Sequence, residues 1–216
     1  MPLLYIKEVG KKGKLGLWHI TETVDELLKM KMVSAEDLSA LNSNSNERRR
    51  KEWLAARILA EQLTGQKDIR IIYDAHKKPF LENSKKHISV SHSRNLLTAI
   101  MDERKTGIDI ELIKPKVIRI KEKFMSKDEL SSLQKEKQEE QLTAYWCAKE
   151  SLYKFYGRNE LVFNRDLFIE PFQYSEKEII RGCIKKNSIK KSFILEYRKL
   201  ISENDNYMLT YIINQD

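Results

Sequence analysis

Asp109 and Glu111 stand two residues apart in Thr106-Gly107-Ile108-Asp109-Ile110-Glu111-Leu112. Side chains on a strand alternate between its faces, so Ile108, Ile110 and Leu112 turn one way and the two carboxylates the other. Neighbouring carboxylates repel unless a cation lies between them. Hard oxygen ligands suit Mg²⁺, which takes one or two carboxylates and completes its shell with water and substrate phosphate oxygens. An acidic, solvated strand face accounts for the same residues. A second group lies in the run Glu139 to Tyr156, where a helical period lines up Leu142, Tyr145, Trp146, Tyr153 and Tyr156. Lys149 falls inside that stripe and Glu150 on its border, and charges in an apolar slot must be paired or liganded. Lys154 is one turn beyond Glu150. Two readings stay open: a core ion pair at Lys149, or Glu150 as a third metal carboxylate with Lys149 and Lys154 neutralising phosphate.

Arg49 and Arg57 are eight residues apart and fall within about 40° of Trp53 on a helix from Glu47 to Leu63. Guanidinium groups suit bidentate phosphate binding. A plain basic helix start, Arg48-Arg49-Arg50-Lys51, explains them equally. Ser89-Val90-Ser91-His92-Ser93 places hydroxyls and an imidazole at a strand end. Adjacent strand residues face opposite ways and no G-x-S-x-G elbow is present, so Ser91 and His92 make a poor nucleophile–base couple. An anion clamp fits them better. The four histidines have no ligand spacing for zinc, and no glycine-rich phosphate loop occurs.

These residues need elements to hold them. The pattern predicts strand over Leu3 to Ile20 with glycine turns, a helix over Thr23 to Met32, and the long helix closed by Gly65. Strands follow at Ile69 to Tyr73, His87 to Ser91, Leu96 to Met101 and Gly107 to Ile113. After Pro115 come a short helix Val117 to Phe124, a capping box at Ser126 to Glu129, and the helix ended by Gly157. Strands return at Leu167 to Pro171, Glu178 to Ile184, Ser192 to Tyr197 and Tyr207 to Ile213. Trp53 to Gly65 is echoed by Trp146 to Gly157, and Leu97-Thr98-Ala99-Ile100 by Leu209-Thr210-Tyr211-Ile212. The expected fold is α+β, with two pseudo-symmetric lobes, 1–103 and 104–216, each a long helix packed on a small antiparallel sheet.

The 216 residues are enough to bury a core without a disulfide or metal. Apolar and charged fractions of 41% and 33% fit a globular chain. No membrane span, secretory signal or cysteine framework is visible, which points to the cytoplasm. A net charge of +8 suits an anionic partner, or a lysine-rich solvated surface.

The strand Gly107-Ile108-Asp109-Ile110-Glu111 is followed about forty residues later by Trp146-Cys147-Ala148-Lys149-Glu150-Ser151-Leu152-Tyr153-Lys154. This pair resembles the signature of the 4'-phosphopantetheinyl transferases, G-[VI]-D-[VI]-E then W-x-x-K-E-[AS]-x-x-K. Ser89 to Ser93 is similar to the family's serine–histidine segment. Lys78-Pro79-Phe80 is similar to its G-K-P-x turn, with Lys77 where glycine is usual. Arg49 and Arg57 match its R-x-x-x-[WF]-x-x-x-R helix. The length and the internal echo resemble the two-lobed, Sfp-like branch, which implies a monomer with the site between lobes.

The resemblance implies transfer of the phosphopantetheine arm of coenzyme A to a serine of an acidic apo acyl or peptidyl carrier protein, with release of adenosine 3',5'-bisphosphate. It gives Mg²⁺ to Asp109, Glu111 and Glu150, and stabilisation of the leaving phosphate to Lys154 with Lys149. The proton goes to Glu150 or to water. Coenzyme A falls to Arg49, Arg57, Lys78, Ser91 and His92. The carrier belongs to fatty-acid, polyketide or nonribosomal peptide synthesis. The run Lys114, Lys116, Arg119, Lys121, Lys123, Phe124, Met125 is the expected docking surface, steered by charge and anchored by Phe124 and Met125. Two other classes compete. In an Mg²⁺-dependent nuclease a lysine two residues after Glu111 would face the metal, but Ile113 holds that position. A basic nucleic-acid-binding module would show a recognition motif, and none occurs. Neither nucleic acid nor membrane is an expected partner.

Overall fold

The glycine-punctuated start folds into a hairpin, β1 (Leu3–Val9) and β2 (Gly13–His19), in a computed structural model that describes residues 3–215. Thr23 then caps α1 (Val24–Met30) with Glu26 in a reciprocal capping box. Ser34 caps α2 (Ala35–Ser43), a helix the sequence pattern does not announce. Asn46 caps α3 (Glu47–Thr64), and Gly65 ends it in the left-handed conformation. Strands β3 (Ile71–Tyr73) and β4 (Pro79–Leu81) pair as a separate hairpin. The first half closes with β5 (His87–Ser93) and β6 (Leu96–Asp102).

The second half likewise runs from strand through helices to strands. Strand β7 (Ile108–Leu112) leads to α4 (Lys116–Phe124), α5 (Lys127–Ser131) with the expected Ser126–Glu129 capping box, and α6 (Gln138–Tyr156). A short α7 (Phe163–Asp166) precedes β8 (Leu167–Ile169), β9 (Lys177–Lys186), β10 (Ile189–Ser202) and β11 (Asp205–Gln215). The two main sheets run β1-β2-β6-β5 and β7-β11-β10-β9-β8, with every pairing antiparallel. In each, one strand is followed by a run of helices, three after β2 and four after β7, and the half's last strand inserts between that strand and the penultimate one. The echoed segments fall on corresponding elements, α3 with α6 and β6 with β11. The α+β architecture follows directly from the alternating patterns that the sequence carries.

Gly107 is required by packing. A Cβ there would sit 2.0 Å from the Ser151 carbonyl oxygen, so only glycine lets the start of β7 lie against α6. That contact brings the carboxylates of β7 beside those of α6. Helix α6 is buried nearly all round, with Cys147, Ala148 and Leu152 as inaccessible as Leu142 and Tyr145. The single apolar stripe expected of it is therefore too narrow, because α4 packs along its outer side and Phe163 of α7 stacks on Trp146 and Tyr153.

The two sheets meet edge to edge, β5 against β7, without a shared backbone ladder. Leu15, Leu17, Leu96 and Ile100 pack there against Ile108, Ile110, Leu209 and Tyr211 in one core. The amides on the open side of β7 are taken by serine hydroxyls: Ile108 donates to Ser89 Oγ at 3.3 Å, Ile110 to Ser91 at 3.3 Å, and Leu112 to Ser93 at 3.0 Å. The constant offset means that β5 and β7 run parallel.

Candidate active site

The alternation of β5 divides its residues between two jobs. Ser89, Ser91 and Ser93 reach toward β7, while Ile88, Val90 and His92, joined by part of Ser89, line a cleft of about 650 Å³. The cleft is bounded by α3, the β3–β4 hairpin and the end of α6, so both halves contribute to it. Its cations are Arg48, Arg49, Lys77, Lys78 and Lys154, with the imidazoles of His76 and His92 beside them, and Trp53, Tyr73 and Tyr153 provide aromatic wall. His92 Nδ1 lies 3.2 Å from the buried Glu52 Oε1, which has no hydrogen-bond partner.

Lys154 joins the cleft to the acidic group. Its ammonium lies 2.7 Å from Asp109 Oδ1, which also accepts the Ser91 hydroxyl at 2.7 Å. Asp109 is only 3% exposed, and its other oxygen, Oδ2, is buried with no partner. Glu111 accepts from Ser93 at 3.3 Å. Burial raises the Glu111 pKa and Asp109 raises it further, against Ser93, Trp146 and Lys154. Burial pushes Glu150 up to about 7, helped by Asp109 and Glu111 and opposed by Lys154. The three carboxylates thus feel one another across β7 and α6. Among the described residues, no three acidic, histidine or cysteine side chains form a ready ion cage.

Lys78 crosses between the halves. It donates to the Phe155 carbonyl at 2.8 Å, and its stem lies where a Cβ on Gly157 would be. Burial, then the charge of Lys105, lowers its pKa to about 8. The turn before it is intact despite Lys77. That residue holds φ +63, a conformation glycine adopts freely, and Asp74 Oδ1 accepts the amides of His76 and Lys78 at 2.9 Å.

Four expectations need correction. Lys149 does not reach the cleft: fully buried, it donates to Glu129 Oε2 at 2.7 Å and to the carbonyls of Phe124, Leu167 and Phe163. Burial lowers its pKa, and Glu129 opposes that. The core ion pair is the reading that survives. Arg57 is also buried, its guanidinium 3.3 Å from the Trp53 ring centre and bonded to the carbonyls of Trp53 and Ile71. It ties α3 to the β3–β4 hairpin behind the cleft wall. Ser91 points at Asp109 rather than into the cleft. Phe124 and Met125, 0% and 2% exposed, are core residues. Burying each stabilises the fold by about 1.5–3 kcal/mol, so exposing either as an anchor would be costly.

Sequence reasoning missed Glu129 as the partner of Lys149, Trp146 as a neighbour that lowers the Glu111 pKa, and Ser93 as a carboxylate donor. Only the serines left a signal, since positions 89, 91 and 93 share the period of 108, 110 and 112.

The family model of the 4'-phosphopantetheinyl transferase superfamily matches residues 105–211, from β7 through β11. The chain is 33% identical over 110 residues to 4'-phosphopantetheinyl transferase ffp of Bacillus subtilis, covering 49% of each chain. It is 34% identical over 95 residues to the transferase Sfp of Bacillus subtilis strain 168, covering 42% of each. To the transferase psf-1 of Bacillus pumilus it is 39% identical over 75 residues, 33% of this chain and 32% of that one. The chain thus spans about half the length of these relatives, or less. Through residues 105–211, which hold Asp109, Glu111, Glu150 and Lys154, the chain belongs to the 4'-phosphopantetheinyl transferase superfamily.

Proposed function

We propose that this protein is an enzyme that moves the phosphopantetheine arm of coenzyme A to a serine hydroxyl of an apo acyl or peptidyl carrier protein, releasing adenosine 3',5'-bisphosphate. The carrying observation is that a cation-lined cleft between the halves ends at Lys154, whose ammonium is bonded to the buried Asp109 beside Glu111 and Glu150. Phosphates favour the cationic part and a hard cation the acidic part.

Asp109, Glu111 and Glu150 would hold Mg²⁺, and the unpartnered Asp109 Oδ2 suits a cation. Mg²⁺ needs no complete protein cage, because water and phosphate oxygens fill its shell. When bound, it would neutralise charge on the pyrophosphate. Arg49, His92 and Lys78 would bind the phosphates of coenzyme A, and Lys154 would offset charge on the leaving phosphate. Glu150, charged above about pH 7, would accept the proton of the attacking serine. The exposed cations of α4, Lys116, Arg119 and Lys123, would steer an acidic carrier toward the cleft without help from Phe124 or Met125. The protein would act as a cytoplasmic monomer with lobes 1–103 and 104–216.

The test is the intact mass of several apo carrier proteins incubated with the protein, coenzyme A and Mg²⁺. The expected result is a gain of one phosphopantetheine arm, lost with chelator and lost in Asp109→Ala, which still folds. No gain on any carrier, with no binding of coenzyme A, would overturn the proposal.

A further inference from the structure

A serine hydroxyl that accepts an amide has only its own proton left to give. The three serines of β5 each accept an amide of β7, so the destination of each remaining proton is informative. Ser91 accepts Ile110 N–H and donates to the carboxylate one residue earlier, Asp109 Oδ1, at 2.7 Å. Ser93 accepts Leu112 N–H and donates to Glu111 Oε2 at 3.3 Å. Ser89 accepts Ile108 N–H, and the residue at the corresponding place is Gly107, which has no side chain to orient. The same hydroxyls that join the sheets therefore also grip the two carboxylates of β7. With Ser91 and Lys154 both on Oδ1, Asp109 keeps Oδ2 free of partners.

We infer that Ser91 and Ser93 are positioning residues of the reacting centre: by bridging β5 to β7 they fix the side chains of Asp109 and Glu111, so the first half of the chain sets the geometry of acids carried by the second. What those acids do rests on the transferase reading above; the bridge itself does not. A hydrogen bond to a charged group is strong, and its loss lets the carboxylate rotate away from its productive position.

The experiment compares wild type with Ser91→Ala by amide exchange, by calorimetric titration with Mg²⁺ alone, and by steady-state transfer. The Ile110 amide should exchange about tenfold faster or more in Ser91→Ala, Mg²⁺ should bind more weakly, and kcat should fall about 10-fold to 100-fold with KM for coenzyme A little changed. If Ser91→Ala fails to fold, the half-buried rung gives the same reading through Leu112. Ser93→Ala should loosen that amide and slow turnover, while Ser93→Thr, which keeps the hydroxyl, should restore both. Unaltered exchange at Ile110 or Leu112 would overturn the bridge. Faster exchange with unaltered Mg²⁺ affinity and kcat would overturn the positioning role. A wild-type protein that modifies no carrier would remove the transferase reading, and exchange with Mg²⁺ titration would still decide this inference.

Discussion

Glu150 and Glu111 carry the electrostatic tension of the site. Both are pushed up first by burial and then by neighbouring carboxylates, with Glu150 reaching about 7 against an ordinary value of 4.5. A raised carboxylate pKa means that the folded state holds the proton more tightly than the unfolded chain. The stability it contributes is complete below about 4.5 and is lost as pH rises through about 7. Without Mg²⁺, the melting temperature should therefore fall between pH 5 and pH 8, and Glu150→Gln should flatten that fall. Added Mg²⁺ should raise the melting temperature more at pH 8 than at pH 5.5, since it competes with the proton for the same oxygens. Scanning calorimetry across this range checks both. An equal Mg²⁺ effect at the two values would argue against the carboxylates as its ligands.

Among the elements, α6 shows how much of such a site can be read from order along the chain and how much cannot. Its period, its closing Gly157 and its place after the α5 capping box are local properties, legible because caps and turns act within a few residues. The choice made by Lys149 is not local. Two destinations fit its position on the helix, and what decides between them is three carbonyls and Glu129 delivered by the ends of α4, α5 and α7. Arg57 follows the same logic, drawn down by Trp53 and the Ile71 carbonyl rather than by an anion. Likewise, alternation gives the two faces of β5 from sequence, but not that β7 would lie along one of them. Lys149→Ala should lower stability by about 3–5 kcal/mol in urea denaturation, because Glu129 would be left charged and buried. Pairing Lys149→Met with Glu129→Leu should recover most of that loss, a result not expected of a lysine whose task is to bind phosphate.

At the level of the whole molecule, 40 basic against 32 acidic residues give a field that acts beyond any single contact. Encounter with an acidic protein should be fast and salt-sensitive, because the Debye length shrinks from about 10 Å at 0.1 M salt to about 3 Å at 1 M. The KM for carrier should therefore rise with salt while kcat changes little. Arg119→Glu with Lys123→Glu should raise it several-fold at low salt and flatten the salt dependence. Steady-state kinetics over a salt series reads both.

The serine-bridged junction has one more consequence, for how the chain avoids its neighbours. An open strand edge is a template on which another molecule can add a strand, and natural proteins cover or blunt such edges. Here the inner edges of both main sheets, β5 and β7, shield each other through hydroxyls instead of peptide groups. A hydroxyl rung satisfies an amide without presenting a fresh row of peptide groups on its far side, so the pairing ends where it begins. Severing the chain in the short link between β6 and β7 and drawing the two pieces apart would uncover a bare edge on each fragment. The separated halves would then be the form of this protein most prone to self-association.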